Sequence, residues 1–158
     1  MRYIRLVIIL EKLGLFDLNN LCIHKQNNIF APVMSRILTK QELHNLAMNI
    51  VGKELEKKGY EFIAINSTLG KHPQFVCIDS SNQRYFVLVK AISYPDNPHN
   101  YDMVLMEAFK KHAREQEAKV FYAGVGLQNS ENPNKPVFLN EEYALEYVGL
   151  QVIETHLN

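Results

Sequence analysis

The stretch Pro73–Ile92, PQFVCIDSSNQRYFVLVKAI, decides the fold. Its runs Gln74–Ile78 and Tyr85–Val89 are dense in Val, Ile, Phe and Tyr, residues that suit a pleated surface. Between them, Ser80-Ser81-Asn82-Gln83 is turn material, so the stretch predicts a β-hairpin. Side chains alternate between the two faces of a strand, and here both sets are apolar. Phe75 and Cys77 alternate with Val76 and Ile78; Tyr85, Val87 and Val89 alternate with Phe86 and Leu88. A hairpin apolar on both faces belongs inside a sheet that is covered on both sides. Lys90 is the exception, a charge on the face that carries Phe86 and Leu88.

Upstream of the hairpin, Thr39-Lys40-Gln41-Glu42 reads as a capping box. Leu43, Leu46, Ala47, Ile50, Val51 and Leu55 follow at helical spacing, and Gly59 suits the C-terminal cap. Tyr60–Asn66 predicts a strand, and Leu69–Pro73 a turn into the hairpin. Downstream, SYPDNPHNYD is a loop, after which Asn100 or Asp102 caps a second helix with Met103, Met106, Phe109 and Ala113 on its buried side. Lys119–Leu127 predicts a further strand, weakened by Gly124 and Gly126. Val137–Leu139 and Val148–Ile153 suggest short edge strands around a short helix at Glu141–Tyr147. The expected class is therefore α/β, in the order α-β-β-β-α-β, with a mixed central sheet and flanking helices.

With 158 residues the length prior is one domain, long enough to bury a substantial core. Residues 1–33 differ in texture: an apolar start runs into an Asn-rich, weakly periodic stretch. They read either as a loosely packed extension, not necessarily native, or as carrying a helix from Tyr3 to Leu15 that docks on a compact domain at 34–158. Lys and Arg number 17, as do Asp and Glu, so no global charge draws the chain toward nucleic acid or an anionic membrane. Residues 1–58 hold nine basic and five acidic side chains, and any basic surface is local. Two cysteines, Cys22 and Cys77, make no disulfide framework and point to a reducing, cytoplasmic setting. LVIIL after Arg2 and Arg5 ends at Glu11 and Lys12, too short for a membrane span or a secretory h-region.

The order of elements, with a third strand ending Val-x-Lys in GYEFIAIN…YFVLVKA, resembles the restriction-endonuclease-like, PD-(D/E)xK superfamily over roughly residues 39–127. The resemblance implies a restriction-endonuclease-like fold. In its nucleases an acid on the first hairpin strand and another two residues before the lysine hold a divalent metal, and the lysine orients the attacking water. Lys90 matches that lysine. Leu88 stands at the second acid and offers no lone pair to Mg²⁺, and Phe75 aligns with the first. Asp79 shares the face of Phe75 but lies four residues further along. Two functions follow from the resemblance. One is a non-catalytic intracellular binding or interaction module on a degenerate nuclease fold, needing no cofactor and partnered by another protein or by a second copy through the edge strands. The other is a Mg²⁺-dependent nuclease or nucleic-acid binder that uses Lys90 with the displaced acids Asp79 and Glu107.

From Met34 on, the chain also resembles small proteins that carry the name of the F subunit of the sodium-translocating NADH:quinone reductase, which implies an accessory role in a redox complex. Two cysteines 55 residues apart cannot hold a four-Cys iron–sulfur cluster, and Gly124-x-Gly126 lacks the rest of a dinucleotide fingerprint. The six histidines show no metal-ligand spacing, and no nucleophile elbow is present. Lys110, Lys111 and Arg114 form the densest basic cluster, a candidate nucleic-acid contact interrupted by Glu115 and Glu117. His72-Pro73 and Pro98-His99-Asn100 flank the hairpin, so the two loops are expected to meet over one end of the sheet around a small polar pocket.

Overall fold

The structure, a computed structural model, describes residues 35–154. Cys22, His24 and His156, the suggested Tyr3–Leu15 helix and the boundary at Met34 lie outside the described residues. In chain order the elements are α1 (Lys40–Lys57), β1 (Glu61–Ile65), β2 (Phe75–Ile78), β3 (Arg84–Ile92), α2 (Met103–Glu115), β4 (Ala118–Asn129), β5 (Tyr143–Glu146) and β6 (Gln151–Ile153). The strands make one mixed sheet ordered β1-β2-β3-β4-β5, with β6 also paired to β4. β1, β2 and β3 form an antiparallel meander. β3 and β4 are parallel, joined by the crossover through α2.

A helix covers each face of the sheet, and the alternation along β3 sorts the two cores. Val87 and Val89 face α1 and pack with Ala47, Met48, Val51 and Leu55, together with Phe75, Cys77, Phe121 and Val125. Phe86 and Leu88 face α2 and pack with Met106, Phe109 and Ala113, together with Val120 and Tyr122. Full burial of each such side chain contributes about 1.5–3 kcal/mol. The double-sided apolar pattern of the hairpin is thereby explained.

α1 begins as its sequence dictates. Thr39 caps it by accepting from the Glu42 N–H, while the Glu42 carboxylate accepts from the Thr39 N–H at 2.9 Å. Gly59 follows the helix at φ +84°, where a side chain would be strained. For α2 the cap is Asp102, which accepts from the Leu105 N–H at 2.9 Å.

Some expectations are corrected. Met103 is exposed, so the buried side of α2 begins at Met106. Residues 118–129 form one of the most deeply buried strands despite their glycines. Glu141–Tyr147 is not helical: Tyr143–Glu146 pairs with Gly126–Asn129, because the edge of β4 opposite β3 offers open ladder positions that outweigh helix propensity. Val137–Leu139 forms no strand and contributes one isolated bridge, Phe138 to Ile37. β5 and β6 are two pieces of one edge. Gly126 stands opposite Glu146 and Tyr122 opposite Gln151, so five steps of the edge match four of β4, a one-residue bulge with Gly149 at φ +94°.

Candidate functional site

Lys90 lies near the end of β3 where β2 has run out, and it is exposed. Phe75 faces α1, on the opposite side of the sheet from Lys90, because it pairs with Val87. That corrects the sequence alignment of the first acid. Gln74, the residue before β2, donates its backbone N–H to the Val87 carbonyl at 3.0 Å and reaches the Val89 N–H with its side chain, so Gln74 and Leu88, two residues before Lys90 on β3, are the pair beside Lys90. Both are fully buried.

Gln74 is the residue that sequence reasoning missed. Its Oε1 accepts from the Val89 N–H at 2.8 Å, a ladder bond that the backbone of β2 no longer supplies. Because that atom faces a donor it must be the oxygen, which fixes the amide's orientation. Nε2 then donates to the Lys71 carbonyl at 2.6 Å and to His72 Nδ1 at 2.8 Å. His72 therefore presents a bare Nδ1 and carries its proton on Nε2, and its ring stands edge-on to Phe109. Every hydrogen-bonding direction of the buried amide except one oxygen lone pair is spent on the protein itself. A polar residue at the head of an otherwise apolar run is the only sequence signal that could have flagged it.

On the other side of Lys90, the loop after β3 folds back onto β4. Gly124 stands in register with Lys90, and a Cβ there would lie 1.7 Å from the Pro98 carbonyl oxygen. Tyr122, fully buried, points its hydroxyl at the Pro98 and Asn100 carbonyls, each at 3.2 Å, and shares one proton between them. Burial pushes that phenol up to about 12. Gly124 and Gly126 thus make room for the crossover loop and are not a nucleotide cradle. The histidines of the two loops have different neighbours: His72 meets Gln74 and Phe109, whereas His99 Nε2 meets Glu146 Oε1 at 3.3 Å over on β5.

Neither displaced acid is paired with Lys90. Asp79 lies at the far turn of the hairpin, beyond Ile78, whose partner Arg84 is six residues from Lys90, or about 20 Å along a strand. Its carboxylate accepts from the Ser81 hydroxyl (2.6 Å), Tyr85 hydroxyl (2.9 Å) and the Ser81 and Gln83 N–H groups (2.8 and 3.0 Å). The Ser81 hydrogen bond foremost, helped by the others against burial, holds it down at about 2. At that same end, Arg84 donates to Gln116 O (3.1 Å) and Gln83 to Glu117 O (3.2 Å), tying the turn to α2. Glu107 is exposed on α2 and ion-paired with Lys110 at 2.8 Å. Lys111 is exposed and Arg114 half-buried, and the basic cluster is interleaved with Glu107, Glu115 and Glu117. Cys77 is wholly buried, and burial first, then the Asp79 charge, pushes its thiol up to about 12, which leaves it inert.

Among the described residues no group of three His, Cys, Asp or Glu side chains is placed to hold a metal ion. Among them, too, no helix is long and apolar enough to cross a membrane. Fold and site together define a three-layer α/β protein whose hairpin end is filled by a glutamine network beside an exposed lysine. The chain belongs to the family described as a domain of unknown function (DUF8840), whose model matches residues 41–153 and so spans both helices and all six strands. It matches no curated protein and no solved structure.

Proposed function

We propose that the chain is a non-catalytic binding module, with restriction-endonuclease-like topology and a hairpin end given over to structure. The helix, the three-stranded meander and the parallel crossover strand support the topology. The observation that carries the functional reading is the pair beside Lys90. Leu88 is an apolar core residue, and Gln74 has committed its amide to Val89, Lys71 and His72. A divalent hard cation in such a site is held by carboxylates, and here Leu88 offers no oxygen while Gln74 is an uncharged amide whose oxygen already accepts from Val89. Lys90 then acts as an exposed charge on a surface rather than as a catalytic group. An intracellular setting and a protein partner belong to the same reading.

The test is a cleavage and binding assay on single-stranded, duplex and branched DNA and on RNA, with Mg²⁺ or Mn²⁺ at two salt concentrations, alongside Lys90→Ala. The expected result is no cleavage by either protein. Metal-dependent cleavage that disappears in Lys90→Ala would overturn the proposal and make this a nuclease with carboxylates recruited from elsewhere. Binding without cleavage that weakens steeply with salt would replace the protein partner with a nucleic acid.

A further inference from the structure

We infer that the β5–β6 edge docks a basic, extended segment of another protein by strand addition. This rests on the binding-module reading and names its partner. β5 and β6 pair only with β4, and among the described residues their outer edge has no neighbour. All four residues of β5 are exposed. Large apolar side chains are displayed along this edge: Tyr143 (37% exposed), Leu145 (48%), Val148 (67%) and Val152 (65%). An edge strand with free backbone groups and apolar side chains at alternate positions is the surface that strand addition uses.

Charge selects the occupant. From Glu141 to Glu154 the chain carries Glu141, Glu142, Glu146 and Glu154, with no Lys or Arg anywhere after Lys135. A second copy related by a two-fold axis would bring two sets of these carboxylates, and no Lys or Arg, to one ladder, and like charges crowded across a strand pair destabilise it. Nucleic acid is repelled for the same reason. A strand alternating Lys or Arg with Val or Ile is complementary on both counts, and the charges would also speed its encounter. The bulge between Glu146 and Gln151 limits uninterrupted pairing to short runs, so the complex belongs with small, transient interfaces.

The probe is a fluorescein-labelled peptide, KVRVKVRVK, titrated against the full chain by anisotropy, with EVDVEVDVE as its charge-reversed control. Amide shifts of ¹⁵N-labelled protein are followed in parallel. The basic peptide is expected to bind at least tenfold tighter than the acidic one, more weakly at high salt, with shifts centred on residues 142–153. Glu142→Lys with Glu154→Lys, both at exposed positions, should reverse the preference while leaving the amide spectrum elsewhere intact. Equal affinity for the two peptides, no binding, or shifts centred on Lys90 would each overturn the inference. So would a dimer in light scattering that Val152→Lys dissociates, since the edge would then belong to a second copy. Cleavage in the nucleic-acid assay defeats the parent reading by a separate readout.

Discussion

Gln74 shows how one side chain can extend a strand after the backbone has turned away. Replacing it with Leu keeps the volume but strands the Val89 N–H, the Lys71 carbonyl and His72 Nδ1 together. A buried polar group left unpaired costs about 1–3 kcal/mol, so Gln74→Leu should lower unfolding stability by roughly 2–4 kcal/mol. A shift in the urea midpoint equivalent to less than about 1 kcal/mol would show the network to be ornamental. Lys90→Ala, at an exposed position with nothing built on it, should change stability by no more than about 0.5 kcal/mol. His44 supplies the pH dependence. It is buried on α1, and burial first, then the nearby His72, lowers its affinity for a proton below the usual value of 6.5. Below that value the unfolded chain takes up a proton that the folded chain refuses, so stability is full above about 6.5 and declines as the pH falls. Urea midpoints at pH 7.5 and 5.5 should therefore diverge in the native protein more than in His44→Leu; equal divergence would assign the effect to other groups.

The elements differ in how openly their sequences declare them. α1 was legible because its cap, apolar stripe and terminal glycine agree, and local signals of that kind need no knowledge of the fold. Thr39→Ala should cost about 1 kcal/mol, read from thermal unfolding. Hydrogen bonds from Arg36 and from the Thr39 backbone draw Glu42 down to about 2, so its contribution is present above 4.5 and drains away as the pH falls from there. The Thr39 hydroxyl also donates to the Glu42 carboxylate, so that share of the Thr39→Ala penalty should drain away as the pH falls from 4.5 toward 2, while the cap bond to the Glu42 N–H persists. The hairpin was legible as well, since a pattern apolar on both faces admits only a covered strand. β5 was not. Its Glu, Ala and Leu favour a helix locally, and only the second edge of β4, opposite β3 and unknowable without the sheet, turns it into a strand. The candidate site failed for a related reason: the face of Phe75 depends on a pairing register that the sequence does not state, and a slip of one residue exchanges the faces.

Across the molecule, structure is densest where β3 and β4 run side by side between the two helices and thinnest at the edge formed by β5 and β6. Hydrogen exchange should follow that gradient. Amides of Phe86–Val89 and Val120–Val125 are expected to exchange last, near the global unfolding limit, and those of Tyr143–Glu146 orders of magnitude sooner. Comparable protection in β5 would mean that something already covers the edge. The two ends of the sheet also divide their roles. Asp79, Tyr85 and Arg84 lock one end through hydrogen bonds, whereas the other end sets Lys90 between a glutamine network and the crossover loop. The contact of the Pro98 carbonyl with Gly124 ties the length and path of that loop to a position more than twenty residues later in the chain. Relatives that place a side chain at this position must reroute the loop, so across the family the two should be inherited as a pair.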